Sequence, residues 1–364
     1  CNLRCAYCYE KCCNDFGVDL GRLKIDYSIP SSIVYDLAKL ERFCEKDSDS
    51  TIVFYGGEPL LRIDTLEKIM HIVPAKRFLL QTNGILLHRL NSECLNRLDA
   101  ILVSVDGDRE LTDHYRGKGV YDQVIRNLRR LRERGFIGET IARMTVGRET
   151  RIDRDVCSLL FNEELFNSIH WQLDALFWYN DYDKERFSKW VNTEYNPGVR
   201  NLIDVWVRHI EDHEEVLRIY PFVGIMRSLL LNEPTKLRCG AGWTMFNIQT
   251  DGNITPCPVM AGMSDFYLGN IEHTDPSDLA SRAVFVSEPC TNCSIYSLCG
   301  GRCLYANVTK LWGEEGFRLV CSTVKDLVDA LKSTVPAILR LMSKGTVLLR
   351  DFDYPRYNSC EIIP

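Results

Sequence analysis

The cysteines constrain this chain more than any other feature. Sixteen occur in 364 residues. Most fall into two spaced groups: Cys1-x3-Cys5-x2-Cys8 in one, and Cys239, Cys257, Cys290-x2-Cys293-x5-Cys299-x3-Cys303 and Cys321 in the other. So many thiols exceed what core packing asks for. No secretory leader precedes them to suggest a disulfide-forming compartment, so metal thiolate chemistry in the cytoplasm is the expected reading. Three closely spaced thiolates can hold three irons of a 4Fe-4S cluster, which takes four when closed. The iron left open marks a reactive rather than a structural position and implies a small chelating substrate or cofactor. A zinc knuckle taking Cys12 or Cys13 as fourth ligand is the competing reading, although zinc sites favour paired C-x2-C spacings.

Composition narrows the partners. The chain is 45% hydrophobic and 26% charged, enough to bury one large domain and a smaller one. A formal net charge of -6 argues against nucleic acid, whose phosphates call for a basic surplus. No apolar run approaches the ~18 residues of a membrane span. Arg126, Arg129, Arg130, Arg132 and Arg134 lie beside Val124, Ile125, Leu128 and Leu131 at helical spacing, which is the pattern of a solvated amphipathic helix.

Short apolar runs at 51–55, 77–81, 101–105, 140–146 and 168–173 end near Gly, Asn or Asp and predict buried parallel strands. Helices are predicted between them at 31–45, 64–71 and 122–134. This alternation implies an α/β core over residues 1–185 whose ligands bind beyond the C-terminal strand ends, with a sixth strand lying before Cys1. Residues 186–235 read as a helical connector. Residues 236–330 read as a small cysteine-rich α+β domain held by metal, with a hairpin of 243–249 and 253–256 around Asp251-Gly252. A helix is predicted from Cys321 to about Met342, and residues 331–364 form its end and a tail. Cys44, Cys94 and Cys157 lie in apolar, helix-like surroundings and are expected in the core.

Cys1-Asn2-Leu3-Arg4-Cys5-Ala6-Tyr7-Cys8-Tyr9 resembles the signature of the radical SAM superfamily. That resemblance implies a partial (β/α)6 barrel whose open iron chelates S-adenosylmethionine. The cofactor is cleaved to a 5'-deoxyadenosyl radical that takes hydrogen from a substrate. By the same resemblance Gly56, Gly57 and Glu58 bind the methionine ammonium, Ser104 and Asp106 contact the ribose and methionine parts, Arg143 pairs with the carboxylate, and Tyr7 meets adenine. The second cysteine group, with Gly252 between Cys239 and Cys257, resembles the SPASM domain, which houses two auxiliary 4Fe-4S clusters. The resemblance assigns Cys290, Cys293, Cys299 and Cys321 to a closed outer cluster. It assigns Cys239, Cys257 and Cys303 to an inner one, whose fourth ligand is substrate, solvent or a distant residue such as Cys360. A pair of zinc sites is the alternative for this domain.

The overall run is similar to an archaeal peptide-modifying branch. The expected function is therefore modification of a peptide or protein side chain, with electrons from a low-potential donor such as ferredoxin or flavodoxin. Sulfatase-maturing relatives carry a general-base Asp after the second auxiliary cysteine. Here that position is Pro258, which cannot accept a proton, so such chemistry would need another carboxylate such as Asp174. Radical chemistry on a small molecule or carbohydrate is the second expectation, and a non-catalytic electron-transfer or metal-binding module the third.

Overall fold

A computed structural model of the chain describes residues 1–8, 23–47, 49–174, 183–358, 360 and 363–364. Cys12, Cys13 and Tyr9 lie outside the described residues. The chain folds as two compact units, each assembled from separated stretches. One holds residues 1–104, 122–139 and 239–285. The other holds 105–121, 140–238 and 286–364.

The predicted strands form a five-stranded sheet of order β1-β2-β3-β4-β5: β1 Thr51–Phe54, β2 Arg77–Thr82, β3 Leu98–Ser104, β4 Glu139–Val146 and β5 Ser168–Leu173. β1 pairs with β2, β2 with β3, and β4 with β5, all in parallel. Parallel pairing requires crossovers, and helices at Ile63–Ile72, Ser92–Arg97, Val120–Glu133 and Ile152–Cys157 lie in them. β3 begins three residues before its predicted start, because Leu98 already pairs with Phe78 ahead of a register shift in β2.

The first helix is shorter than predicted, Leu37–Cys44 rather than 31–45. Asp36 stops it from starting earlier, since its side chain accepts from Ala38 N–H at 3.0 Å as an N-cap. The Arg-rich helix is amphipathic as expected: Val124, Ile125, Leu128 and Leu131 are buried. Two of its arginines bond outward to main-chain oxygens, Arg132 to Phe136 and Gly138 and Arg134 to Leu90.

In the second unit the aromatic connector is helical over Lys184–Trp190, Asn196–His213 and Tyr220–Leu231. Its core is built around Trp171, whose Nε1 donates to the Tyr195 hydroxyl at 3.0 Å and whose ring meets Phe222 edge-on. Trp206 packs edge-on against Phe222 and Phe352. The last helix runs Gly313–Ser343 and so begins well before Cys321, not after it. Its apolar stripe, Phe317, Val320, Val324, Leu327, Val328 and Leu331, continues through the cysteine without interruption.

The predicted hairpin is present but short, β6 Asn247–Ile248 against β7 Asn253–Thr255. Asp251 accepts from Asn253 N–H at 3.0 Å, and Gly252 takes φ +90° at the turn. A third strand, β8 Gly269–Asn270, joins β7 and had no sequence signal. Cys44 and Cys94 are buried on helices, whereas Cys157 is only half-buried at the end of its helix. Among the described residues no helix is long and apolar enough to cross a membrane.

Candidate functional site

In the first unit the N-terminal thiols sit at the surface. Cys1 is exposed, and Cys5 and Cys8 are half-buried. A turn brings the latter two together, with Cys8 N–H donating to Cys5 C=O at 3.1 Å. Asn83, just beyond the end of β2, ties this segment down: its amide donates to Asn2 Oδ1 at 2.7 Å and lies 3.8 Å from Cys1 Sγ.

The chain leaving β1 supplies the next residues. Gly56 has φ +155°, and nothing lies within 4 Å of where a Cβ would stand. It is an open cradle of backbone next to half-buried Gly57. Glu58 is buried, and its carboxylate accepts from Leu60 N–H at 3.0 Å, Asn83 N–H at 2.8 Å and the Thr82 hydroxyl at 2.9 Å. Burial pushes its carboxyl up, against the pull of the Asn83 and Leu60 N–H bonds and the Thr82 hydroxyl. A cation brought against it would favour the ionised form. Ser104 ends β3, half-buried. Tyr7 is half-buried within the cysteine turn.

In the second unit β4 and β5 share a polar face. Period-two alternation puts Arg143 and Thr145 on one side of β4, and the register sets Arg143 opposite His170. Arg143 contacts His170 Nδ1 at 3.2 Å and donates to Gln172 Oε1 at 3.2 Å. Among the described residues Arg143 pairs with no carboxylate, so its charge suits an anionic ligand. Asp174 follows β5 on the same face, with its N–H on Val146 C=O at 2.8 Å.

Asp106 departs from the expectation of a ligand contact. Its carboxylate is wholly buried and engaged by Arg116 at 2.7 and 2.8 Å and by Thr145 N–H at 3.0 Å. A bidentate buried pair of this kind fixes the loop after β3. Gly107 follows at φ +150°, where a Cβ would stand 2.8 Å from Asp155 Cβ. Burial pushes the Asp155 carboxyl up to about 6.

The later cysteines divide between the units. Cys239 and Cys257 belong to the first, and Cys303 and Cys360 to the second. Cys303 caps the helix Leu304–Thr309, its sulfur accepting from Ala306 N–H at 3.5 Å. Cys360 is buried, with its N–H on Asn358 Oδ1 at 3.1 Å. Cys290, Cys293, Cys299 and Cys321 all lie in the second unit. Burial pushes the Cys321 thiol up to about 12, and the other three thiols raise it further. Burial also raises Cys290 and Cys299. Asn307 donates to Cys290 Sγ at 3.4 Å. Among the described residues no three His, Cys, Asp or Glu form a cage for a single metal ion. The four neighbouring thiols nevertheless fit an iron–sulfur cluster by their chemistry, because metal coordination ionises thiols that burial keeps protonated.

Several of these partners carried no motif: Asn83, Thr82, Arg116, His170, Gln172 and Asn307. Only His170 and Gln172 had a legible signal, the two-residue period that places them beside Arg143.

Residues 1–160 match the family described as the Radical SAM superfamily. Through that stretch, less than half of the chain, it is similar to radical SAM enzymes, which use S-adenosylmethionine and a 4Fe-4S cluster. Among curated relatives, the Probable GTP 3',8-cyclase of Methanocella arvoryzae is 33% identical over 129 residues, 34% of this chain and 38% of its own length. An uncharacterized protein of Archaeoglobus fulgidus is 27% identical over 348 residues, 88% of this chain and 74% of its own. The chain thus spans little more than a third of the cyclase relative. Among solved structures, native anSMEcpe with bound AdoMet superposes with a TM-score of 0.67 at 20% identity, over 94% of this chain and 96% of that one. Streptococcus suis SuiB bound to precursor peptide SuiA superposes with a TM-score of 0.54 at 14% identity, over 84% and 70%. Both are likenesses of fold.

Proposed function

We propose that this protein modifies a peptide or protein side chain by hydrogen abstraction, and that it carries one radical-generating and two auxiliary 4Fe-4S clusters. The observation that carries the reading is a fold shared along nearly the whole chain with anSMEcpe, of which one structure holds a Cp18Cys peptide, and with SuiB bound to its precursor peptide. When bound at Cys1, Cys5 and Cys8, the first cluster supplies the electron that cleaves S-adenosylmethionine to the 5'-deoxyadenosyl radical. Glu58 holds the cofactor ammonium and Arg143 its carboxylate, both by charge-assisted bonds. The Gly56-Gly57 backbone and Tyr7 give the cofactor room and a stacking face, and Ser104 offers a hydroxyl. Asp106 acts through Arg116 and Thr145, as a brace for the strand ends. Asp174 is our candidate for a proton acceptor on the substrate.

Cys290, Cys293, Cys299 and Cys321 hold a closed auxiliary cluster, while Cys239, Cys257 and Cys303 give three ligands to the other. We keep the division into a 1–185 core, a 186–235 connector, a 236–330 auxiliary-cluster domain and a 331–364 tail as part of this reading, with a ferredoxin or flavodoxin as cytoplasmic electron donor.

A small-molecule reaction is the second reading, favoured by the cyclase names among the relatives. Those matches cover 30 to 46% of this chain, which weighs against transferring the cyclase activity. Anaerobic turnover with S-adenosylmethionine, dithionite and either candidate peptides or GTP, followed by mass spectrometry, separates the two. We expect a mass change in a peptide alongside 5'-deoxyadenosine. A product from GTP and from no peptide would overturn the reading. Cys257→Ala should stop product formation yet leave uncoupled cofactor cleavage measurable.

A further inference from the structure

β5 meets Arg143 with two side chains, neither of them an acid. Parallel register sets Arg143 opposite His170 and Thr145 opposite Gln172, and the two-residue period keeps these side chains on one face of the sheet. His170 is wholly buried and Gln172 half-buried. Arg143 contacts His170 Nδ1 through Nη1 and donates to Gln172 Oε1 through Nη2, each at 3.2 Å. Both terminal nitrogens are thus held by one strand, which fixes the plane of the guanidinium. At most two of its five N–H groups are engaged, and at least three are left for a ligand.

The carboxylates nearest this face are kept off the guanidinium. Val105 N–H donates to Arg143 C=O at 3.2 Å, so the chain leaving β3 runs beside it. The next residue, Asp106, is already held by Arg116 at 2.7 and 2.8 Å. Asp174 lies two residues beyond Gln172, roughly 6.6 Å further along the strand direction. An acid at position 170 or 172 would claim the guanidinium outright, and an anionic ligand would then meet a neutral pair. Glutamine supplies the same acceptor geometry and leaves the charge in place.

We propose that Gln172, with His170, is a positioning residue for the carboxylate of S-adenosylmethionine, setting the orientation of Arg143 without neutralising it. The inference rests on the reading that Arg143 binds that carboxylate. Gln172 acts through Arg143 and need not touch the cofactor.

The test is a calorimetric titration of the anaerobically reconstituted full chain with S-adenosylmethionine and, as a second probe, with its decarboxylated analogue. Gln172→Glu exchanges an amide for a carboxylate of the same shape, so packing is kept while Arg143 gains an ionic partner. It should weaken S-adenosylmethionine binding about tenfold, and it should bind the decarboxylated analogue no more weakly than the parent does. Parental affinity for S-adenosylmethionine overturns the proposal. Equal weakening for both probes also overturns it, because that is the mark of a merely structural defect. If Gln172→Glu does not reconstitute, Gln172→Leu decides. Loss of the acceptor should weaken binding about threefold in the parent and add nothing in an Arg143→Leu background; no loss, or the same loss in both backgrounds, overturns the role. An Arg143→Leu protein with parental affinity would instead overturn the assignment of the carboxylate to Arg143, a failure distinct from an unchanged Gln172→Glu.

Discussion

The N-terminal thiols and the four thiols of the second unit sit in different surroundings. Cys1 is exposed and Cys5 and Cys8 are half-buried, on a turn held to the end of β2 through Asn83. Cys290, Cys293, Cys299 and Cys321 come from a loop, a short helix and a long helix, in surroundings that push Cys321 up to about 12 by burial. A group that must admit a cofactor stays at the surface with a ligand missing, whereas a group that passes electrons or holds a fold together gains from exclusion of water. On the proposed reading, ligand count distinguishes the reactive cluster from the closed one.

The contrast breaks most directly at the first group. Replacing Cys1, Cys5 and Cys8 together by Ala should abolish 5'-deoxyadenosine formation and remove about a third of the bound iron, as read by product chromatography and iron analysis. Persistent cleavage would mean that the exposed thiols are not the reactive ones.

Cys321→Ala should act in the other direction. It should lose the second unit's four-thiol cluster and lower thermal stability, since metal sites often contribute the folding energy of the regions that they tie together. Some cofactor cleavage should survive if the first unit stands on its own, and calorimetry beside a cleavage assay checks both.

Arg143→Leu and Glu58→Gln should weaken S-adenosylmethionine binding by one to two orders of magnitude, given ~1.5–3 kcal/mol for a charge-assisted bond. Iron content should stay near wild type. Unchanged affinity in a calorimetric titration would detach either residue from the cofactor.

In metal-free protein, iodoacetamide should label Cys1, Cys5 and Cys8 well before Cys290, Cys299 and Cys321 at pH 8. The thiolate is the reactive form, and Cys321 stays protonated until the pH approaches about 12. Peptide mapping over time reads the order, and equal rates would erase the distinction between the groups.

The smallest effect separates the two asparagines. Asn307 is buried and also bonds the Ser287 N–H and C=O at 2.9 and 3.2 Å, so Asn307→Ala should cost ~1–3 kcal/mol of stability. Asn83→Ala, at a more open site, should chiefly lower occupancy of the first cluster, as iron analysis would show.

Local chemistry was legible without coordinates. The cysteine spacings, the Gly56-Gly57-Glu58 turn and the five short apolar strands are encoded by neighbours in sequence, because strand period and turn stereochemistry are local properties. The sequence by itself also placed the amphipathic arginine helix and the aromatic connector. Tertiary structure decided which polar groups are already occupied. Asp106 reads as a free carboxylate at a strand end, yet Arg116 and Thr145 claim it. Arg143 is marked in the sequence only by resemblance, and the structure shows that β5 gives it His170 and Gln172 as partners. Arg302 carries no motif of its own, yet the fold buries it and bonds its Nε to Pro364 O. Burial and the partner across a strand depend on contacts distant in sequence, and those contacts set whether a charge is spent within the protein or left for a ligand.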